Sequence, residues 1–158
     1  MFRLLLTFAA AYLALLAGCA IFQRKLLYFP TNHQGNSGLS EWRHEGELIG
    51  YARHGSPFGA VWLFLHGNAG QAADRTYALS SFPVSDSVYI LEYPGYGSRP
   101  GSPSRSSLDA AALQAYELLR GRYSGRAVCV AAESIGCGPA AFLATKHPPP
   151  DKIVLILP

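Results

Sequence analysis

The chain is short of charge and of cysteine. Only 15% of its 158 residues are charged, and the net charge is +3. That basic signal is too weak for a nucleic-acid footprint. The arginines are scattered. Arg120, Arg122 and Arg126 flank a predicted helix end, where cations favour the macrodipole. Three cysteines do not make a disulfide framework. Cys129 and Cys137 read as small buried apolar residues. His33, His44, His54, His66 and His147 lack metal-ligand spacing, so neither a metal nor a cofactor is expected. No internal repeat is present. The length allows at most one domain, and 49% apolar content excludes a long disordered chain.

What is there begins with apolar sequence. Leu4 to Phe22 is almost wholly apolar, with Arg3 before it and Arg24-Lys25 after it. Nineteen helical residues would span about 28 Å, close to a bilayer core. Within this stretch, Leu16-Ala17-Gly18-Cys19 matches a lipobox, in which Cys19 would be lipidated after cleavage at small residues. Ala20 follows the cysteine, which by resemblance to the lipoprotein sorting pattern favours the outer membrane. An uncleaved membrane helix and plain secretion are the other readings. Residues 23–40 form a neck and loop. Arg24, Lys25, Tyr28 and Phe29 suit a membrane interface. Equally, Leu26, Leu27, Tyr28 and Phe29 could pack on the domain.

Residues 41–158 read as alternating strands and helices. Trp42–Glu45 and Leu48–His54 predict a hairpin turning at Gly46. Ala60–Leu65 is a continuous apolar run suited to a parallel strand buried on both faces. A helix is predicted over Gly70–Ser81, then a strand over Ser87–Glu92, broken by Tyr93-Pro94-Gly95-Tyr96-Gly97. A second helix starts at Ser106 as N-cap, with Asp109 three residues on. Its buried face is Leu108, Ala111, Ala112, Ala115 and Leu119, and it ends at Gly121 and Gly125. Further strands are predicted at Ala127–Ala132 and Lys152–Leu157, around a helix over Ile135–His147. This alternation implies an α/β class with a mostly parallel sheet and flanking helices.

The chemistry centres on Ala132-Glu133-Ser134-Ile135-Gly136. A strand, a tight turn and a helix would present Ser134 at the apex. Serine is a poor nucleophile unless a base takes its proton and donors hold the oxyanion. The Ile135 N–H would point at the reacting carbonyl, aided by the positive helix end. Small residues are required two before and two after the serine. Gly136 supplies one. Ala132 departs from the usual G-x-S-x-G, which would be costly only at positive φ. The second oxyanion donor is expected in the loop after the first core strand, His66-Gly67-Asn68-Ala69-Gly70, at the Asn68 N–H. His66 is expected to hydrogen-bond behind that loop rather than act as base. Glu133 reads as a polar group beside the elbow. Tyr93 and Tyr96 would line a near wall of the site or pack the loop.

These motifs resemble the α/β-hydrolase superfamily. The likeness is greatest to a membrane-anchored branch with L-H-G-N-A-G, then an acid-Y-x-G-Y-G segment, then the serine elbow. Here they are Leu65–Gly70, Glu92–Gly97 and Ala132–Gly136, and the neck Q-R-K-L-L-Y-F-P is also similar. The resemblance implies a serine hydrolase of the ester, thioester or amide type, acting on a small-molecule or acyl-chain substrate. It implies membrane attachment through the N-terminus in a bacterial cell envelope. No specific protein partner is expected.

In that fold an acid and a histidine follow the serine. After Ser134 only Asp151 and His147 are available. His147 is expected about 18–20 Å away, beyond the intervening helix. The expectation is an α/β-hydrolase fold truncated before its last two strands and inactive alone. The alternative is a non-catalytic envelope lipoprotein derived from a hydrolase.

Overall fold

A computed structural model describes residues 2–33 and 37–157. Helix α1 (Phe2–Leu27) carries no buried residue and is long and apolar enough to cross a membrane. The sheet follows: β1 (Ser40–His44), β2 (Glu47–Arg53), β3 (Val61–Leu65), β4 (Ser87–Leu91), β5 (Val128–Glu133) and β6 (Ile153–Ile156). Helix α2 (Arg105–Arg122) joins β4 to β5, and α3 (Cys137–Ala144) joins β5 to β6. Part of the predicted loop, Gln34–Asn36, lies outside the described residues.

The hairpin turns where the sequence reading put it. Glu45 and Gly46 both have positive φ, +49° and +86°, as a tight turn between antiparallel strands demands. The strand order is β1-β2-β4-β3-β5-β6. Pairs β4–β3, β3–β5 and β5–β6 are parallel, and β1–β2 and β2–β4 are antiparallel. The sheet is therefore mixed, with its parallel part at the core.

Alternation along each core strand feeds two layers. Leu63, Leu65, Val128, Val130 and Ala132 pack with Leu108, Ala112, Ala115 and Leu119 of α2 and with Ala140 and Leu143 of α3. Phe64, Val88, Ile90 and Ala131 face the other way, against Ala72 and Ala78. Each fully buried Leu or Ile contributes on the order of 1.5–3 kcal/mol.

Three elements differ from the sequence reading. Ala72–Ser81 forms 3₁₀ turns, with Arg75 at non-helical dihedrals. Its side chain reaches back to the carbonyls of Gly67, Asn68 and Ala69. Helix α2 is capped by Ser104, not Ser106. Ser104 Oγ accepts from the Ser107 N–H at 3.1 Å, and Ser107 Oγ accepts from the Ser104 N–H at 2.9 Å. Three serines within four residues can all cap, and extended backbone at Ser104 decides among them. Helix α3 ends at Ala144, short of His147.

The connections set up the site. The chain leaves β3 towards the 3₁₀ face and leaves the neighbouring strand β5 towards the α2–α3 face. Adjacent parallel strands whose connections part to opposite faces open a crevice at their carboxyl ends.

Candidate active site

Ser134 is the first residue beyond β5, at the mouth of that crevice, and it is exposed. Its φ is +49°. A non-glycine residue held there costs roughly 1–3 kcal/mol and persists only where its surroundings over-determine it. Gly136 is part of that constraint. A Cβ on Gly136 would overlap the Leu65 carbonyl oxygen and stand 2.8 Å from its carbon. The elbow is thus seated on the end of β3. Ala132 lies within β5, fully buried, paired with Leu65 and Leu155, and has no positive φ. Alanine is accommodated at that position without backbone strain.

The loop after β3 lies alongside. A Cβ on Gly67 would be 3.4 Å from the Glu133 carboxyl carbon, so loop and elbow are in van der Waals reach. The Glu133 carboxylate accepts a hydrogen bond from the Tyr77 hydroxyl at 2.8 Å. The left-handed residues of the loop are Ala69 and Gly70, at φ +56° and +93°.

Two cationic or ring donors hold the Gly67 carbonyl. His66 Nδ1 is 2.8 Å from Gly67 O, and Arg75 Nη2 is 3.4 Å from it. The same Arg75 nitrogen also reaches the Asn68 and Ala69 carbonyls. In a trans peptide the N–H points opposite to the C=O. The Asn68 N–H therefore faces away from Arg75 and His66. A carbonyl oxygen only accepts, so His66 carries its hydrogen on Nδ1. Its Nε2 faces Glu92 Oε1 at 3.7 Å, with both side chains fully buried.

Glu92 anchors the back of the loop. Its carboxylate accepts from the Ala72 N–H at 3.0 Å, and Arg99 donates to its backbone carbonyl at 2.7 Å. Tyr93 and Tyr96 are both fully buried. The Tyr93 hydroxyl donates to the His66 carbonyl at 3.0 Å, and the Tyr96 hydroxyl to Asn68 Oδ1 at 2.8 Å. Burial raises the Tyr93 phenol well above its ordinary range and pushes Tyr96 up to about 12. Of the two roles left open by sequence, these tyrosines pack the loop.

A cleft of about 440 Å³ opens beside Ile135, between Leu108 of α2 and Pro139 and Phe142 of α3, with Tyr28 in its wall. Asp109 lines it too. Burial raises its carboxyl, against the lowering pull of Arg105 and Lys146.

The other predicted residues lie elsewhere. His147 is exposed beyond α3. Asp151 pairs with Arg120 at 2.7 Å and accepts from the Val128 N–H at 2.8 Å. That is the amino end of β5, opposite to Ser134. His33 pairs with Asp74 at 3.0 Å, and His54 is bonded to Tyr89. His44 lies 4.0 Å from Glu45, a surface pairing. None of the five histidines stands at Ser134. Cys129 and Cys137 are buried, and Cys19 is exposed on α1. Among the described residues, no three His, Cys, Asp or Glu side chains gather as a metal site.

The chain is 32% identical over 143 residues to an uncharacterized protein of Mycobacterium tuberculosis, covering 80% of this chain and 50% of that protein. It is 31% identical over 105 residues to the lysophosphatidylserine lipase ABHD12 of Xenopus tropicalis, covering 62% and 27%. Among solved structures it is similar to Aspergillus niger epoxide hydrolase, with TM-score 0.61 and 18% identity over 76% of this chain and 34% of that one. It is also similar to a cold-adapted esterase from an Arctic intertidal metagenomic library, with TM-score 0.54 and 13% identity over 81% and 64%. The chain belongs to the α/β-hydrolase superfamily. No protein-family profile matches it. This α/β-hydrolase chain spans half the length of its mycobacterial relative and less of the lipase.

Within the hydrolase fold, two structural residues escaped the sequence reading. Glu92 is the acid of the acid-Y-x-G-Y-G segment, and its place in that segment was the available signal. Arg75 had none, because an arginine in a polar helical stretch is ordinary. Tyr28 was left undecided between interface and packing. It packs on the core, whereas Leu26, Leu27 and Phe29 remain exposed.

Proposed function

We propose that this hydrolase acts on carboxylic ester, thioester or amide bonds through an acyl-serine intermediate on Ser134. The observation that carries the reading is Ser134 itself, exposed at positive φ at the carboxyl end of β5 beside the Asn68 loop. Ser134 Oγ attacks the substrate carbonyl carbon and its proton passes to a base. The carbonyl oxygen becomes an oxyanion, which the Asn68 and Ile135 N–H groups stabilise. Collapse expels the alcohol, thiol or amine, which takes up a proton. Water then releases the acid from the serine by the same steps. His66 and Gly67 shape the donor loop, and Ala132 and Gly136 shape the elbow. The cleft beside Ile135 is the proposed seat of an acyl or other small-molecule group.

None of the chain's histidines is positioned as that base. Losing the histidine from a serine triad costs on the order of a millionfold in turnover. The 158-residue chain alone is therefore proposed to lack useful turnover. The N-terminus is proposed to hold the domain at a bacterial envelope membrane, by lipidation at Cys19 or by α1 as a spanning helix. Mass spectrometry of the purified chain separates these, since lipidation removes residues 1–18 and adds mass at Cys19.

The test follows the reading frame beyond codon 158 and assays its product on short acyl esters. A frame supplying an aspartate and a histidine, with turnover lost on Ser134→Ala, is the expected result. Turnover unaffected by Ser134→Ala overturns the reading. A second reading is a non-catalytic envelope lipoprotein derived from a hydrolase. A conserved stop after codon 158 would support it.

A further inference from the structure

The end of α1 is fastened to the proposed oxyanion loop by one side chain. The last carbonyls of a helix have no intrahelical partner. At Leu27 that partner is Asn68 Nδ2, which donates to the Leu27 carbonyl at 2.6 Å. On its other side, Asn68 Oδ1 accepts from the Phe29 N–H at 3.1 Å, the Ala69 N–H at 2.9 Å and the Tyr96 hydroxyl at 2.8 Å. The two backbone N–H groups must meet the oxygen and the Leu27 carbonyl must meet the nitrogen, so the amide has one orientation. Four groups thus converge on the side chain of a residue whose backbone N–H is the proposed oxyanion donor. The neck continues the contact. The Thr31 N–H donates to the Gly70 carbonyl at 3.2 Å, and the Gly97 N–H to the Thr31 carbonyl at 2.9 Å.

We propose that Asn68 is a positioning residue that locks the end of the N-terminal helix to the oxyanion loop, so that the anchor sets the loop's orientation. The name of the loop rests on the serine-hydrolase reading; the lock itself does not. Residues 23–30 are then a working part of the site and not a passive tether. Because the contact begins at Leu27, it survives in either mode of membrane attachment. The arrangement also places Tyr28, between the two bonded residues, in the wall of the cleft beside Ile135.

The test is amide hydrogen exchange on the full chain in lipid nanodiscs, which needs no turnover and so stands apart from the hydrolase reading. Asn68→Ala is expected to speed exchange at Phe29 and Ala69 by roughly fivefold or more, with β3 and β5 unchanged. Asn68→Asp keeps an oxygen to accept from both amides but loses the donor to the Leu27 carbonyl, and is expected to speed exchange at Phe29 more than at Ala69. Phe29→Pro removes one donor from the neck and is expected to speed exchange across residues 67–70. Unchanged exchange at Phe29 in Asn68→Ala, or at the loop in Phe29→Pro, would overturn the proposal. So would a uniform rise through β3 and β5, or an Asp variant in which exchange at Phe29 is as slow as in the native chain.

Discussion

Gly136 lies directly against the Leu65 backbone, so close that a Cβ would overlap the Leu65 carbonyl oxygen. The contact joins the serine elbow to the end of β3. It explains a glycine at a position whose own dihedrals, φ −63° and ψ −20°, any residue could adopt. The requirement is space, not backbone freedom. Gly136→Ala is expected to cost about 3 kcal/mol by overpacking. Gly138→Ala, with nothing within 4 Å, is the control and is expected to be neutral or slightly stabilising. Urea unfolding of the two variants checks the difference.

Ser134 stores strain at φ +49°. Glycine relieves it, because the left-handed region costs an L-residue about 1–2 kcal/mol. Glycine also gives back part of that gain through unfolded-state entropy. Ser134→Gly is expected to be about 1 kcal/mol more stable than Ser134→Ala, which keeps the Cβ and the strain. Thermal melts of both variants decide it. Equal stability would mean that the elbow is not strained.

Arg75 holds the Gly67, Asn68 and Ala69 carbonyls on one side of the loop. Arg75→Ala leaves three carbonyls without their cationic donor. A loss of about 1–3 kcal/mol is expected, together with faster amide exchange over residues 67–70. Arg75→Lys keeps the charge but not the planar fork and is expected to recover only part of the protection.

Alkaline pH should loosen the loop. Burial raises the Tyr96 phenol to about 12, with Tyr28 adding and the Phe29 backbone opposing. Below pH 10 the tyrosine is protonated in both folded and unfolded chains, and its contribution is fully present. Between about 10 and 12 the unfolded chain loses its proton first, so stability falls as pH rises. Tyr93, raised by the same burial, acts in the same direction. Urea midpoints at pH 9 and 11 test the sign. Tyr96→Phe is expected to flatten the slope and to weaken the Asn68 anchor even at neutral pH.

Much of the fold was legible because apolar runs flanked by glycines become buried parallel strands with little ambiguity. Val61–Leu65 and Val128–Glu133 match their predicted ranges to within a residue. The α2 face was legible for the same reason, since 3.6-residue spacing is a property of the helix alone. Its start was not. Three serines between positions 104 and 107 compete as caps, and the approach of the preceding chain selects Ser104. The 3₁₀ turns at Ala72–Ser81, with their kink at Arg75, were not legible either, because the residues there carry no breaker that marks it. The elbow was readable as a motif. The reason for Gly136 was visible only once Leu65 lay beside it.

The amino-acid sequence by itself determined the element pattern, the apolar N-terminal helix and the order of the Asn68, Tyr93–Gly97 and Ser134 motifs. Local spacing and side-chain size carry that information. Only the tertiary structure decided what those motifs touch. It set Tyr93 and Tyr96 behind the loop, Asp151 at the far end of the sheet from Ser134, and Leu27 on the Asn68 side chain. Those contacts join residues 27 to 41 positions apart in the chain. Hydrogen bonds of that reach are specified by how the strands stack, not by any local pattern.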